Sequence, residues 1–141
     1  MTHQRTGVTL LNTHTSANGA GDWSPNSRFA GMHRAQLSHL AEIINAVRRP
    51  LLVSGDFNTA ADSVFFREFR AQTDLVDAFK GQERPTFRSE FLPADRSAHR
   101  IDYVLTAGRS LRVIDAVLVL AGRPALSDHY GLRVTTEWGE P

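Results

Sequence analysis

The sequence predicts a mixed α/β domain in which helices cover one face of a sheet. Apolar runs of strand length alternate with two segments of helical periodicity in the first half of the chain, and further strands make up the second half. A chain of 141 residues has room for one compact core. We therefore expect residues 1–141 to form a single domain with the order β-α-β-α-β-β-β.

The first two elements are a strand and an amphipathic helix. Residues 7–12 are partly apolar and partly β-branched, which is typical of a strand. Across residues 27–48 a set of mostly apolar side chains recurs at helical spacing, and Pro50 follows as a stop signal. The set comprises Met32, Gln36, Leu37, Leu40, Ile43, Ile44 and Val47.

A buried strand and a short helix come next. Residues 51–54 read as a compact strand, and Asp62 or Ser63 can cap the short helix that follows. Residues 75–79 are apolar, but the pattern does not decide between helix and strand. Residues 81–99 contain two prolines and mixed charge, which favours a long functional loop.

The second half of the chain is predicted to be β-rich. Residues 100–105 and 111–120 form two strands, residues 122–129 form a loop, and Leu132 with Val134 marks a last strand by alternation with polar residues. No internal repeat or linker interrupts this order.

Composition excludes several classes of protein. The net charge is +1, from 16 basic and 15 acidic residues, whereas a strong non-specific nucleic-acid binder normally has a larger basic excess. This weakens the case for DNA binding without excluding it. The absence of cysteine excludes disulfides, zinc–thiolate sites and cysteine nucleophiles. The longest apolar run is too short to cross a bilayer, and the N-terminus lacks the apolar stretch of a signal peptide, so we expect a cytoplasmic protein. Nucleotide-binding glycine loops, zinc-protease helices and serine nucleophile elbows are also absent.

Asp56 and Asn58 stand two residues apart, directly after the second predicted strand. Gly55 permits a tight bend that aims two oxygens toward one point. In a hydrolase, Asp56 can orient or deprotonate water, and Asn58 can hold a phosphate oxygen or join the shell of a metal. The structural alternative is an Asx turn that closes the strand.

Asp102 and His129 form a second candidate pair. Asp102 lies on a strand that is otherwise apolar, where an unpaired carboxylate is costly. A histidine partner relieves that cost and fixes the imidazole tautomer, as in hydrolase triads. His129 is the candidate partner, because histidine readily exchanges a proton near neutral pH. A structural ion pair with Arg100 or another arginine is the alternative.

His14 ends the first strand and offers a second histidine, so that one can serve the attacking water and the other the leaving oxygen. Its structural alternative is a capping residue. Trp23 and Phe87 lie in loops, where they line a substrate cleft or simply pack. Three histidines lack comparable context and are predicted to be surface residues: His3, His33 and His99. The carboxylate, amide and histidine donors favour Mg²⁺ or Mn²⁺ over zinc.

In this order the motifs Asn-Thr-His, Gly-Asp-Phe-Asn, Arg-Ile-Asp-Tyr and Ser-Asp-His are similar to those of the endonuclease/exonuclease/phosphatase superfamily. That superfamily includes DNase I-like nucleases, abasic-site endonucleases, neutral sphingomyelinases and inositol-phosphate phosphatases. The resemblance runs from about residue 7 to residue 134. It implies a DNase I-like four-layer α/β sandwich, of which this chain is the C-terminal part, and Mg²⁺-dependent hydrolysis of a phosphodiester in a nucleic acid or a phospholipid headgroup.

The resemblance also implies roles for individual residues. Asp56 positions or activates the water and contributes to the metal site together with Asp128. Asn58 stabilises the phosphoryl oxygens, and Asp102 orients His129, which acts as a base or as a phosphate-stabilising cation. His14 lies across the phosphate as a proton or hydrogen-bond donor.

The sequence departs from the family pattern in two ways. The upstream Asn and Glu that hold the metal in the family have no counterpart, because Glu42 is not equivalent in position. His33 stands where the family often has Arg in an Arg-x-x-Gln motif. We therefore expect a truncated domain, with a homodimer or a degenerate relative as alternatives. The competing functional hypothesis is a non-catalytic binding or interaction module.

Overall fold

A computed structural model describes residues 7–19 and 21–139 of the chain. Its elements follow the predicted order with one additional short strand, β3: β1 (Thr9–His14), α1 (Ala30–Ala46), β2 (Leu51–Asp56), α2 (Val64–Ala71), β3 (Val76–Asp77), β4 (Asp102–Ala107), β5 (Leu111–Val119) and β6 (Gly131–Trp138), with a 3₁₀ turn at Ser89–Phe91. The mixed α/β class is confirmed. The undecided segment at residues 75–79 contains the two-residue strand β3, and residues 81–99 are a loop interrupted only by the 3₁₀ turn.

The strands form a four-stranded sheet and a separate two-stranded sheet. The four-stranded sheet has the order β1-β2-β4-β3, in which β1 runs parallel to β2 and the other pairs are antiparallel. β5 and β6 pair as an antiparallel hairpin, and β6 contacts β4. The register of this hairpin shifts between Val113 and Asp115.

Both helices pack on one face of the four-stranded sheet. Their apolar side chains share one core with alternate residues of the strands, so that Leu51, Val53, Tyr103 and Leu105 face the helices. Alternation then directs the intervening residues of β2 and β4 to the opposite face. Ser63 is the N-cap of α2, because its hydroxyl accepts a hydrogen bond from the Phe66 backbone N–H. Of the two predicted caps, Asp62 and Ser63, the helix therefore uses Ser63.

The buried stripe of α1 differs from the predicted one. Its buried residues are Ala30, His33, Leu37, Leu40, Ala41 and Ile44. Met32 and Ile43 are exposed instead. The prediction that His33 is a surface residue is wrong, because positions 33, 37, 40 and 44 lie on one helical face and the imidazole stacks on Phe65. Among the described residues, neither ring nitrogen of His33 has a hydrogen-bond partner.

His99 is partly buried against Trp23, whereas it was predicted to be a simple surface residue. The third of these histidines, His3, lies outside the described residues. Within the described part of the chain, no helix is long and apolar enough to cross a membrane.

Candidate active site

Three candidate residues lie side by side across the sheet because of strand register. His14 is the register partner of Asp56 on β2, and Asp56 is the register partner of Asp102 on β4. All three stand on the face opposite the helices, at one end of the sheet. Strand pairing alone therefore gathers residues that are 42 and 46 positions apart in the sequence.

Gly55 makes the close approach of β1 and β2 possible. Its φ is +143°, and a Cβ atom added there would lie 1.8 Å from the backbone oxygen of Thr13. No other residue fits this contact without movement of β1. The glycine of the Gly-Asp-Phe-Asn motif is therefore a packing requirement of the strand pair that carries His14 and Asp56.

The Asp56–Asn58 turn is held by a set of hydrogen bonds. The backbone N–H of Asn58 donates to Asp56 Oδ1 at 2.7 Å, and Asn58 Nδ2 donates to the Thr15 backbone oxygen at 2.9 Å. Asn58 adopts a positive φ of 45°, which asparagine tolerates better than most residues. The Asx turn is therefore present, and the functional role of the same two residues stays a prediction.

His129 is joined to Asp102, and the predicted alternative partner is engaged elsewhere. His129 Nδ1 lies 2.8 Å from Asp102 Oδ2. An ionised carboxylate only accepts hydrogen bonds, so Nδ1 carries the proton and Nε2 faces the site. Arg100 instead pairs with Asp77 at 2.7 Å, and both of those side chains are almost fully buried.

Asp56 Oδ2 lies between two imidazole nitrogens. It is 4.0 Å from His129 Nε2 and 3.7 Å from His14 Nε2. These separations exceed a direct hydrogen bond. Burial raises the pKa of the Asp56 carboxyl above its ordinary value, and the neighbouring charge of Asp102 acts in the same direction, while the Asn58 N–H opposes them.

The donors also suit a divalent cation. Oxygens of Asp56 and Asp102 and a nitrogen of His129 lie within 4.8 Å of one another. One oxygen of Asp102 also contacts His129 Nδ1 at 2.8 Å. Carboxylate oxygens and an imidazole nitrogen are ordinary ligands of divalent cations. Asp128, the other predicted metal ligand, is exposed and does not join the group, so its role stays a prediction.

The structure identifies supporting residues that the sequence did not reveal. Thr86 is fully buried, and its hydroxyl accepts the backbone N–H groups of Ile101 and Asp102, both at 3.0 Å. Its backbone oxygen accepts the Tyr130 N–H at 2.8 Å. One threonine thereby ties the start of β4 to the loop that carries His129. Its position in a long loop gives no local signal of this role.

Gln36 on α1 holds the chain that follows His14. Its side-chain amide donates to Ser16 Oγ at 2.8 Å and accepts from the Ser16 backbone N–H at 3.2 Å. Gln36 belongs to the helical periodicity noted in the sequence, but its partner lies 20 residues earlier and could not be read from that pattern.

The model of the Endonuclease/Exonuclease/phosphatase family matches residues 2–129 of this chain. The chain belongs to this family. Members of the family are phosphoesterases, including nucleases and phosphatases, and they typically depend on a divalent metal. No curated protein matches the chain.

Solved structures of this family have the same DNase I-like fold. An endonuclease/exonuclease/phosphatase from Beutenbergia cavernae is 21% identical with a TM-score of 0.69, over 94% of this chain and 36% of that one. The 3′ phosphatase NExo from Neisseria, bound to a product DNA hairpin, is 19% identical with a TM-score of 0.67, over 94% and 62%. TDP2 from D. rerio, with a single-stranded DNA product, is 15% identical with a TM-score of 0.67, over 91% and 55%. The chain spans between about a third and two thirds of the length of these structures.

Proposed function

We propose that this chain carries the hydrolytic site of a Mg²⁺-dependent phosphodiesterase, with Mn²⁺ as an alternative cation. The observation that carries the proposal is the convergence of His14 and the hydrogen-bonded His129–Asp102 pair on the Asp56 carboxylate. A hydrolase needs a proton acceptor, a group that orients it and a second donor near the leaving oxygen, and these residue types supply all three.

Each residue has a proposed role. Asp56, with a pKa raised by burial, orients and accepts a proton from the attacking water. Asp102 holds His129 with Nε2 toward the site, where the ring acts as a base or, when protonated, donates to a phosphoryl oxygen. His14 donates to an oxygen on the other side of Asp56. Asn58 lies beside the site, and its amide contributes to binding the phosphoryl oxygens.

Asp56 and Asp102 would hold the cation, and Asp128 joins them in the proposed set. When bound, the cation supplies charge neutralisation at the phosphoryl oxygens. The two similar structures that contain DNA products support nucleic acid as the first substrate to test, with a phospholipid headgroup as the alternative.

The test is hydrolysis of bis(p-nitrophenyl) phosphate by this chain with Mg²⁺ and with EDTA. We expect EDTA to abolish turnover and His129→Ala or Asp56→Asn to lower kcat by about 10²- to 10⁴-fold, the usual contribution of a positioned acid or base. His39→Ala is the matched control, because His39 is an exposed histidine on α1. Wild-type rates in the His129 and Asp56 variants would refute the assignment. Inactivity of the folded wild-type chain would favour the non-catalytic alternative.

A further inference from the structure

A cavity of about 470 Å³ opens beside Asn58 and His129. Its volume lies in the range of small-molecule sites. Besides His129, three ring-bearing side chains from separate segments line it: Trp23, Phe87 and His99. Leu92 and Ile101 add apolar surface. A ring-lined cavity that borders the proposed phosphate position suits a planar ring attached to that phosphate.

Trp23 is a preorganised wall of this cavity. Its indole N–H donates to the Asn58 backbone oxygen at 2.9 Å. Its ring also meets the His99 ring edge to face, with centroids 4.7 Å apart. A ring that is already fixed loses little further freedom when a ligand packs against it, so its contact area contributes to affinity.

The same indole connects the cavity to the Asp56 turn. The Asn58 oxygen that receives the Trp23 N–H belongs to the residue whose own N–H holds Asp56 Oδ1. The cavity wall and the Asp56 carboxylate are therefore attached to opposite ends of one residue. A ring bound in the cavity would lie at a fixed position relative to the carboxylate.

We propose that this cavity binds a planar ring of the phosphoester, such as a nucleobase, and that Trp23 determines this specificity. The inference rests on the proposed function only for the position of the phosphate. Phe87 adds a second fixed wall, since its ring packs edge to face on His129 with centroids 5.0 Å apart.

Tryptophan fluorescence tests the inference without any need for turnover. The chain has two tryptophans, so Trp138→Phe leaves Trp23 as the single emitter. We would titrate this variant, with Mg²⁺, with adenosine monophosphate and with ribose 5-phosphate, which has the phosphate and sugar but no base. We expect saturable quenching by adenosine monophosphate at concentrations at least about tenfold lower than any response to ribose 5-phosphate. An equal response to both probes, or none to either, would overturn the inference.

A pair of substitutions separates the ring from its hydrogen bond. Trp23→Phe keeps an aromatic wall, whereas Trp23→Leu removes it. By calorimetry we expect Trp23→Leu to weaken adenosine monophosphate binding about tenfold and to leave ribose 5-phosphate binding unchanged, with Trp23→Phe closer to wild type. Equal weakening of both probes in a folded Trp23→Leu protein would overturn the specificity role. Quenching without hydrolysis would refute the proposed function alone, and hydrolysis without quenching would refute this inference alone.

Discussion

We expect Thr86→Val to lower the free energy of unfolding more than any other isosteric substitution near the site. Valine has the shape of threonine but lacks the hydroxyl that accepts the backbone N–H groups of Ile101 and Asp102. Thr86 is fully buried, so water cannot replace that acceptor without a rearrangement. Each buried donor left unpaired costs about 1–3 kcal/mol, which gives about 2–6 kcal/mol for the pair.

The measurement is urea unfolding of wild type and variants, with the free energy of unfolding taken from the midpoint and slope. Thr106→Val is the matched control, because Thr106 is a buried threonine on β4 whose side chain has no hydrogen bond to another described residue. Thr86→Ser keeps the acceptor and should recover most of the loss. The reasoning is refuted if Thr86→Val is no more destabilising than Thr106→Val.

Two further predictions concern backbone fit and buried charge. Gly55→Ala places a Cβ 1.8 Å from the Thr13 oxygen and should prevent folding or lower the free energy of unfolding by more than about 4 kcal/mol. In the control, Gly31→Ala on α1, the added Cβ meets no atom, so this variant should be neutral or stabilised. Urea unfolding measures both. Burial lowers the pKa of His33. Below the ordinary histidine pKa, the unfolded chain therefore binds a proton that the folded chain does not. The free energy of unfolding consequently falls as the pH decreases from about 7. His33→Leu should reduce the fall in melting temperature between pH 7 and pH 5. His39→Ala is the control and should keep the pH dependence of the wild type. An unchanged pH dependence in His33→Leu would contradict this account.

The element order was predictable because strands and helices here have strong local signals. β1, β2 and β4 are apolar or β-branched runs, and α1 has a clear helical period with Pro50 beyond its end. The exact buried face of α1 was not predictable. Hydrophobic period favoured Met32 and Ile43 as core positions, but the helix rotates to bury His33 against Phe65. That contact depends on how two helices meet on the sheet, which periodicity within one helix does not specify.

The site was predictable where the residue type is itself unusual in its context. An aspartate at the start of an apolar strand demands a partner, and this physical cost pointed to Asp102 and His129 before their 2.8 Å contact was known. Register could not be predicted in the same way. The alignment of His14, Asp56 and Asp102 on one level of the sheet depends on pairing between strands that are far apart in the sequence.

The supports of the site could not be predicted because they act through backbone groups. Thr86 receives N–H groups of β4, Gln36 holds the Ser16 backbone, and Trp23 donates to the Asn58 backbone oxygen. Any sequence offers such backbone partners at every position, so nothing in the residue type indicates which one is used. This difference between residues aligned by strand register and residues held through backbone groups has a functional consequence. The sheet positions the reactive groups, whereas the loops position the surface that binds the rest of the substrate. Substitutions at Trp23 or elsewhere in the cavity wall can therefore change substrate specificity while strand register keeps His14, Asp56 and Asp102 in place.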